Sequence, residues 1–174
     1  MTDGSTTRQL RIIVEVTQLA AGSNIEVWLR GGWAMDLLLG EVTRPHRDVD
    51  WFCWAADADA LTALLRGRGY ADDPGPPPEQ QRDLVKDGVE LSFALLSRDA
   101  TGEPVVAGGP WRGTAYPAGM LSGWVGRLGD VTCPVISPHV QIELKEMYPV
   151  WMPERPVRTK DRVDIARLRA AITG

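Results

Sequence analysis

Residues 25–54 constrain the fold most, because they join a strand pattern, a double glycine, a short helix and a second strand that opens with two aspartates. Residues 25–30 alternate apolar and polar side chains, which predicts a strand with one buried face. Gly31 and Gly32 break the alternation and allow a tight turn whose backbone N–H groups can approach a ligand closely. Helix formers follow, and Gly40 is a suitable stop. Such a helix start suits a phosphate, although the same turn also occurs without any ligand.

Asp48 and Asp50 open the second apolar run. Successive strand side chains point to opposite faces, so the two aspartates share one face while Val49 and Trp51 take the other. The rise of a strand holds the aspartates about 7 Å apart, which suits a shared hard cation such as Mg²⁺. Two like charges at this spacing cost free energy unless a cation or a proton offsets them. A pair of solvated aspartates is the alternative.

A third carboxylate is found in a predicted hairpin. The turn Asp87-Gly88 separates two strand-like runs within residues 81–96, and an Asp-Gly pair is a strong hairpin signal. On the second strand Glu90 shares a face with Ser92, and the other face is apolar. Glu90 is therefore an acid on a largely apolar strand.

The remaining elements predict a mixed α/β fold with a small mixed sheet flanked by helices. Apolar spacing and capping residues predict helices at 10–21, 57–68, 138–147 and 160–172. A second hairpin is predicted within 125–136, turning at Gly129-Asp130. The Gly-rich stretch 100–110 is predicted to be irregular.

Composition narrows the class of protein. The chain has 174 residues, of which 44% are hydrophobic, and this predicts one domain with a sizeable core. Its 2 cysteines give neither a disulfide framework nor a zinc spacing, which favours a reducing cytoplasm. A signal-peptide pattern and a run of about 18 apolar residues are both missing, so we expect no membrane partner. The net charge of −4 argues against a broad nucleic-acid surface and permits a cationic acceptor.

The glycine and aspartate motifs together resemble a known signature. Residues 31–36, Gly40 and residues 43–50 are similar to the signature of the small antibiotic nucleotidyltransferases of the DNA polymerase beta superfamily. Within that group the chain resembles the aminoglycoside 2''-nucleotidyltransferases and the lincosamide nucleotidyltransferases. A looser resemblance continues to about residue 168.

This resemblance implies a polymerase-beta-like nucleotidyltransferase fold in a single domain, residues 1–174. The catalytic core is expected at about 8–100, and an acceptor-side hairpin with the C-terminal helices at about 101–174.

The resemblance also implies roles for individual residues. Gly31 and Gly32 are expected to contact the nucleotide phosphates, and Asp48 and Asp50 to ligate the catalytic metal. Glu90 is expected to be the third acid, acting as general base, as metal ligand or as both.

Three cationic residues are also expected to bind the nucleotide, namely Arg44, Lys145 and Lys160. For Lys145 and Lys160 the alternative is an ordinary surface lysine. Arg44 and His46 lie in the loop that leads to Asp48, and each could contact phosphate or order that loop.

The function that the resemblance implies is transfer of a nucleoside monophosphate, AMP from ATP or the equivalent from another nucleoside triphosphate, to a hydroxyl of a small antibiotic. Two Mg²⁺ ions are expected, with an aminoglycoside as the first acceptor class and a lincosamide as the second. A homodimer would be one way to complete the acceptor cleft. The alternatives are a toxin-like nucleotidyltransferase that modifies a protein or tRNA, and a non-catalytic nucleotide-binding relative.

Overall fold

The computed structural model describes residues 3–151, 153–154 and 158–173. The helices are α1 (Gly4–Gly22), α2 (Gly31–Leu39), α3 (Ala58–Arg66), α4 (Pro138–Trp151) and α5 (Thr159–Thr173). The strands are β1 (Val27–Arg30), β2 (Asp48–Trp54), β3 (Ala71–Asp72), β4 (Gln81–Lys86), β5 (Val89–Arg98), β6 (Pro104–Val106), β7 (Val125–Leu128) and β8 (Val131–Pro134).

The main sheet is mixed and runs in the order β1-β2-β5-β4-β3, with β6 paired to β5. β1 is antiparallel to β2, whereas β2 and β5 are parallel. The predicted hairpin joins β4 to β5, and Asp87 and Gly88 have φ of 51° and 76° at its tip. Positive φ at both central residues is what a two-residue hairpin turn of type I′ requires. β7 and β8 form the second predicted hairpin as a separate sheet. The predicted mixed α/β architecture is confirmed.

Apolar side chains cover both faces of the sheet, although not along its whole length. The larger cluster packs α1 and α3 against one face, around the fully buried Trp51 and Phe93. A smaller cluster on the other face contains Trp28, Phe52 and Trp54. The alternation at 25–30 predicted a single buried face for β1, but Trp28 is only 7% exposed because this second cluster covers it.

Three further differences from the sequence-based prediction concern the extent of elements. Helix α1 begins at Gly4, six residues before the predicted start at residue 10. The stretch 100–110, predicted to be irregular, contains the short strand β6, which is antiparallel to the end of β5. Helix α4 begins at Pro138 as predicted but continues beyond the predicted end at residue 147. Among the residues described, none of the helices combines the length and the apolar character that a membrane crossing needs.

Candidate active site

The strand pair β2 and β5 brings the three candidate acids to one face of the sheet. In the parallel register Asp48 is paired with Glu90, and Asp50 with Ser92. Paired residues on neighbouring strands project to the same side, so the face predicted for Asp48 and Asp50 also carries Glu90. Val49 on the opposite face is fully buried in the core. The register thus places two acids from β2 and one from β5 side by side, as the site prediction requires.

The mutual repulsion of these acids is visible at Asp48. The pKa of Asp48 is raised, first by burial and then by the negative charges of Asp50 and Glu90, which outweigh the opposing effect of Arg47 and Lys160. A carboxylate in this state gains from a nearby cation, because the cation restores the stability of the charged form.

The donor set of this face fits Mg²⁺ held jointly with a substrate. Among the residues that the structure describes, no group of three or more His, Cys, Asp and Glu side chains is arranged to hold a metal by itself. Mg²⁺ in phosphate-transfer sites takes one or two protein carboxylates and completes its shell with water and substrate phosphates. Asp48 and Asp50 supply that smaller set. Glu90 is more open, with its side chain 49% exposed and its Oε2 4.0 Å from Arg47 Nε, and its role as a ligand stays a prediction.

Gly31 places the start of α2 against Asp50. It is the first residue of the helix and has a φ of 71°, a conformation that residues with a Cβ rarely adopt. A Cβ added there would lie 3.1 Å from Asp50 Oδ2. The side-chain amide of Gln141, on α4, donates a 2.7 Å hydrogen bond to the Gly31 carbonyl oxygen. The helix terminus that was predicted to bind phosphate is therefore directly beside the acidic face that carries Asp48, Asp50 and Glu90.

Gly32 faces a different neighbour. A Cβ added at Gly32 would lie 2.4 Å from His46 Nδ1 and 3.1 Å from Arg44 Nη2. The loop 41–47 therefore packs directly on this glycine, which leaves space for His46. Contact of Gly32 with phosphate, predicted from the sequence, stays a prediction, and the observed reason for a glycine here is the loop.

A cleft of about 220 Å³ opens beside Gly31 and Asp50. Its walls come from the sheet, from the segment before the second hairpin and from both C-terminal helices. The residues that line it are Arg30, Gly31, Asp50, Phe52, Ala94, Tyr116, Ile136, Gln141, Leu144, Lys145, Tyr148, Arg158 and Asp161. A cleft that combines apolar side chains with a few charged groups is typical of a small-molecule site.

Four cationic side chains lie around the buried Asp161 and Asp164, and we call Arg44, Lys145, Arg158 and Lys160 the positive cluster. Lys145 and Arg158 also line the cleft. Lys145 is 3.1 Å from both Asp161 and Asp164, and so is not the free surface lysine that was the alternative. Lys160 is exposed, and its pKa is lowered by partial burial and then by the charges of Arg158 and Arg44. This cluster would gain from an added anion.

Asp161 and Asp164, which pair with Arg44, Lys145 and Arg158 of the positive cluster, are almost fully buried. Burial alone would raise the pKa of Asp164, but hydrogen bonds and charges from Arg44 and Lys145 outweigh it and lower the pKa. Arg44 Nη2 donates to Asp164 at 2.9 Å. This bond ties Arg44, and with it the loop before Asp48, to α5. Direct contact of Arg44 with a nucleotide stays a prediction.

Sequence reasoning assigned no role to Ser92, Gln141 or Arg158. Ser92 donates a 2.7 Å hydrogen bond to Asp50 Oδ1, and the shared face of Ser92 and Glu90 was the available signal. Gln141 and Arg158 reach the cleft from the C-terminal helices, and no local pattern connects those helices with the double glycine.

With this geometry established, comparison with known proteins identifies the family. The model of the family described as aminoglycoside-2''-adenylyltransferase matches residues 12–168. The chain belongs to this family. The predicted resemblance to small antibiotic nucleotidyltransferases is confirmed.

Curated relatives within this group align over a shorter segment. A 2''-aminoglycoside nucleotidyltransferase from Klebsiella pneumoniae is 43% identical over 65 residues, which is 36% of this chain and 37% of the relative. A protein of the same name from Escherichia coli is similar to the same extent, with 43% identity over 65 residues, 36% of this chain and 37% of the relative. The alignment thus spans little more than a third of either relative.

Solved structures confirm the fold over nearly the whole chain. Lincosamide antibiotic adenylyltransferase LnuA, solved with lincomycin bound, superimposes with a TM-score of 0.75 at 21% identity, covering 97% of this chain and 99% of the other. ANT(2'')-Ia in complex with adenylyl-2''-tobramycin gives a TM-score of 0.75 at 19% identity, covering 95% and 90%. The predicted nucleotidyltransferase fold is confirmed.

Proposed function

We propose that the protein is a magnesium-dependent nucleotidyltransferase that transfers AMP from ATP to a hydroxyl of an aminoglycoside. The observation that supports this most is the position of Asp48, Asp50 and Glu90 on one face of the sheet, beside Gly31 at the start of α2. Membership of the family agrees with this arrangement and supports the choice of acceptor class.

The nucleotide is proposed to bind with its triphosphate between the start of α2 and the positive cluster. Lys145 and Arg158 line the same cleft as Gly31. The helix terminus offers backbone N–H groups and the positive end of the helix dipole, and the cluster offers charge. Lys145 supplies this charge while it is paired with two buried carboxylates, so its position is fixed before the nucleotide arrives.

Asp48 and Asp50 are the residues that we assign to Mg²⁺, and Glu90 is the proposed third ligand if two ions bind. Mg²⁺ bound there would polarise the α-phosphate and offset the charge of the leaving pyrophosphate. Ser92 fixes the orientation of Asp50 through its hydrogen bond to Oδ1.

Glu90 is proposed to act as the general base. The acceptor hydroxyl oxygen forms a bond to the α-phosphorus of ATP while the bond from that phosphorus to the pyrophosphate oxygen breaks. The hydroxyl proton passes to Glu90, and pyrophosphate leaves. Glu90 is suited to this because its side chain is about half exposed, where an acceptor can reach it. A positioned base of this kind contributes about 10² to 10⁴-fold to the rate.

The acceptor is proposed to lie against the part of the chain at about 101–174, which supplies Tyr116 and Leu144 to the cleft. Residues 1–174 are proposed to act as one domain. A homodimer that completes the acceptor side and a cytoplasmic location also remain predictions.

Mass spectrometry of candidate acceptors tests the proposal. Aminoglycosides, lincosamides and other hydroxylated antibiotics are incubated with the protein, Mg²⁺ and mixed nucleoside triphosphates, with Asp48→Asn as the inactive control. We expect an aminoglycoside to gain one AMP. A lincosamide product would correct the acceptor class. Magnesium-dependent ATP binding without any modified drug would contradict an antibiotic acceptor and favour a protein or tRNA, and failure to bind Mg-ATP would favour the non-catalytic alternative.

A further inference from the structure

The loop 41–47 connects α2 to the first metal-binding aspartate. It contains no strand or helix, and Glu41, Val42 and Arg47 are exposed. Asp48 follows this loop directly as the first residue of β2. The geometry of the metal-binding face therefore depends on whatever holds the loop in place.

A buried carboxylate on α2 holds the middle of the loop. Asp36 is fully buried, and its Oδ1 accepts a 2.6 Å hydrogen bond from the Thr43 hydroxyl. Its Oδ2 accepts from the Thr43 backbone N–H at 3.2 Å and lies 2.5 Å from His46 Nε2. Both oxygens of one buried carboxylate thus bind the loop that precedes Asp48. A buried charge with hydrogen bonds of this kind is costly to leave unpaired.

A second set of contacts also holds His46. Gln9 on α1 donates a 2.8 Å hydrogen bond to the His46 carbonyl oxygen and accepts one of 2.8 Å from the Trp33 indole N–H. The rings of Trp33 and His46 lie with their centroids 4.7 Å apart. His46 also packs over the bare α-carbon of Gly32. Residues of α1 and α2 therefore hold His46, which lies two positions before Asp48. We call the contacts of Gln9, Trp33 and Asp36 with this loop the clamp.

We propose that Asp36 is a positioning residue which, through Thr43 and His46, fixes loop 41–47 and so presents Asp48 and Asp50 to the metal and nucleotide. This proposal rests on the proposed function, because it takes Asp48 and Asp50 to be the residues that bind the metal. Asp36 itself is fully buried and touches the loop, so its effect on the reaction is exerted through Thr43 and His46.

Substitution at Thr43 tests the clamp without altering any charged group. Thr43→Val keeps the shape of the side chain and removes the hydroxyl that binds Asp36, whereas Thr43→Ser keeps the hydroxyl. Thr62→Val is the matched control, since Thr62 is buried in α3 and its hydroxyl donates to Ala58 O at 2.9 Å, away from the site. Each variant is compared by amide hydrogen exchange without ligand, by calorimetric Mg-ATP binding and by steady-state kinetics.

We expect Thr43→Val to speed amide exchange at 41–48 and to weaken Mg-ATP binding by about 10- to 100-fold, the range for a hydrogen bond to a charged group. Thr43→Ser should stay close to wild type, and Thr62→Val should lose thermal stability while keeping wild-type Mg-ATP affinity. Unchanged exchange at 41–48 in Thr43→Val would overturn the proposal, and so would wild-type binding and turnover in that variant. If wild-type protein neither binds Mg-ATP nor transfers AMP, the proposed function fails, and exchange still reports on the clamp.

Discussion

Ser92 donates a 2.7 Å hydrogen bond to Asp50 Oδ1 across the parallel pair β2 and β5. The two residues lie 42 positions apart in the chain. It fixes one carboxylate oxygen of Asp50, while Oδ2 faces the start of α2 at Gly31. The orientation of the proposed metal ligand is therefore set by a neutral side chain that was absent from the sequence-based site.

Replacement of Ser92 by Ala should lower turnover by about 10- to 100-fold, because a hydrogen bond to a charged group is lost. The fold should persist, since Ser92 is only partly buried. Steady-state kinetics with ATP and the acceptor identified by mass spectrometry provide the measurement. Ser97→Ala on the same strand, beyond the acidic face, is the control. Equal turnover in the two variants would show that the hydrogen bond from Ser92 to Asp50 does not affect the reaction.

Asp48→Asn should abolish transfer and leave the protein at least as stable as wild type. Burial and the charges of Asp50 and Glu90 raise the pKa of Asp48, so the ionised form is disfavoured in the metal-free protein. Loss of this carboxylate would remove a group that holds Mg²⁺ at the α-phosphate, so turnover should fall to background. Melting temperatures without divalent ions and kinetics with Mg²⁺ test the two parts. Asp59→Asn is the control, because it removes the same charge at an exposed ion pair away from the site. Near-normal turnover in Asp48→Asn would refute the assignment of Asp48 as a metal ligand.

Glu90→Gln separates the two proposed roles of this residue. If Glu90 is the base, turnover should fall by about 10² to 10⁴-fold while Mg-ATP affinity stays near wild type. Calorimetry and steady-state kinetics on the same preparation make the comparison, with the exposed Glu143→Gln as control. A loss confined to Mg-ATP affinity would make Glu90 a metal ligand instead.

Gly32→Ala should weaken Mg-ATP binding by disturbing the loop. Ala normally stabilises a helix by about 1 kcal/mol relative to Gly, but here its Cβ would lie 2.4 Å from His46 Nδ1. Amide exchange at 41–47 should therefore rise before any nucleotide is added. Gly22→Ala is the control, because no atom lies within 4 Å of its added Cβ. Wild-type exchange together with weakened binding would mean that the Cβ intrudes on phosphate, as the sequence predicted.

Lowering the pH should destabilise the packing of α5, because Asp164 becomes protonated. Burial pushes its pKa up, yet Arg44 and Lys145 lower it overall, so its ionised form stabilises the folded state. This stabilisation is complete above the unfolded-state pKa of about 4 and disappears as the pH falls through the lower folded-state pKa. Between pH 6 and pH 3 the melting temperature should fall less steeply for Asp164→Asn than for wild type. An equal fall of the melting temperature with pH in the two proteins would contradict this account.

The local elements of the site were predictable because each has its own pattern. Alternation and glycine turns indicated β1, α2 and β2, and the Asp-Gly turn indicated the hairpin that carries Glu90. Alternation also gave the faces of Asp48 and Asp50 correctly. These signals act over a few residues, where backbone conformation is decided.

Relations between distant segments were not predictable in this way. No local pattern shows that β2 and β5 are parallel partners, and this pairing alone puts Ser92 beside Asp50. The same holds for Asp164, whose partner Arg44 is 120 positions away. Trp28 was assigned to the wrong environment because alternation shows one buried face and does not show what covers the other.

The link between Arg44 and Asp164 also bears on synthesis of the chain. A ribosome completes β2 and its aspartates long before it reaches α5, which lies at Thr159–Thr173. During that interval Arg44 lacks its carboxylate partner, and Lys145 lacks both of the aspartates that it later binds. The cations of the proposed triphosphate site therefore reach their paired positions only after α5 has been made, whereas the aspartates of β2 are synthesised much earlier.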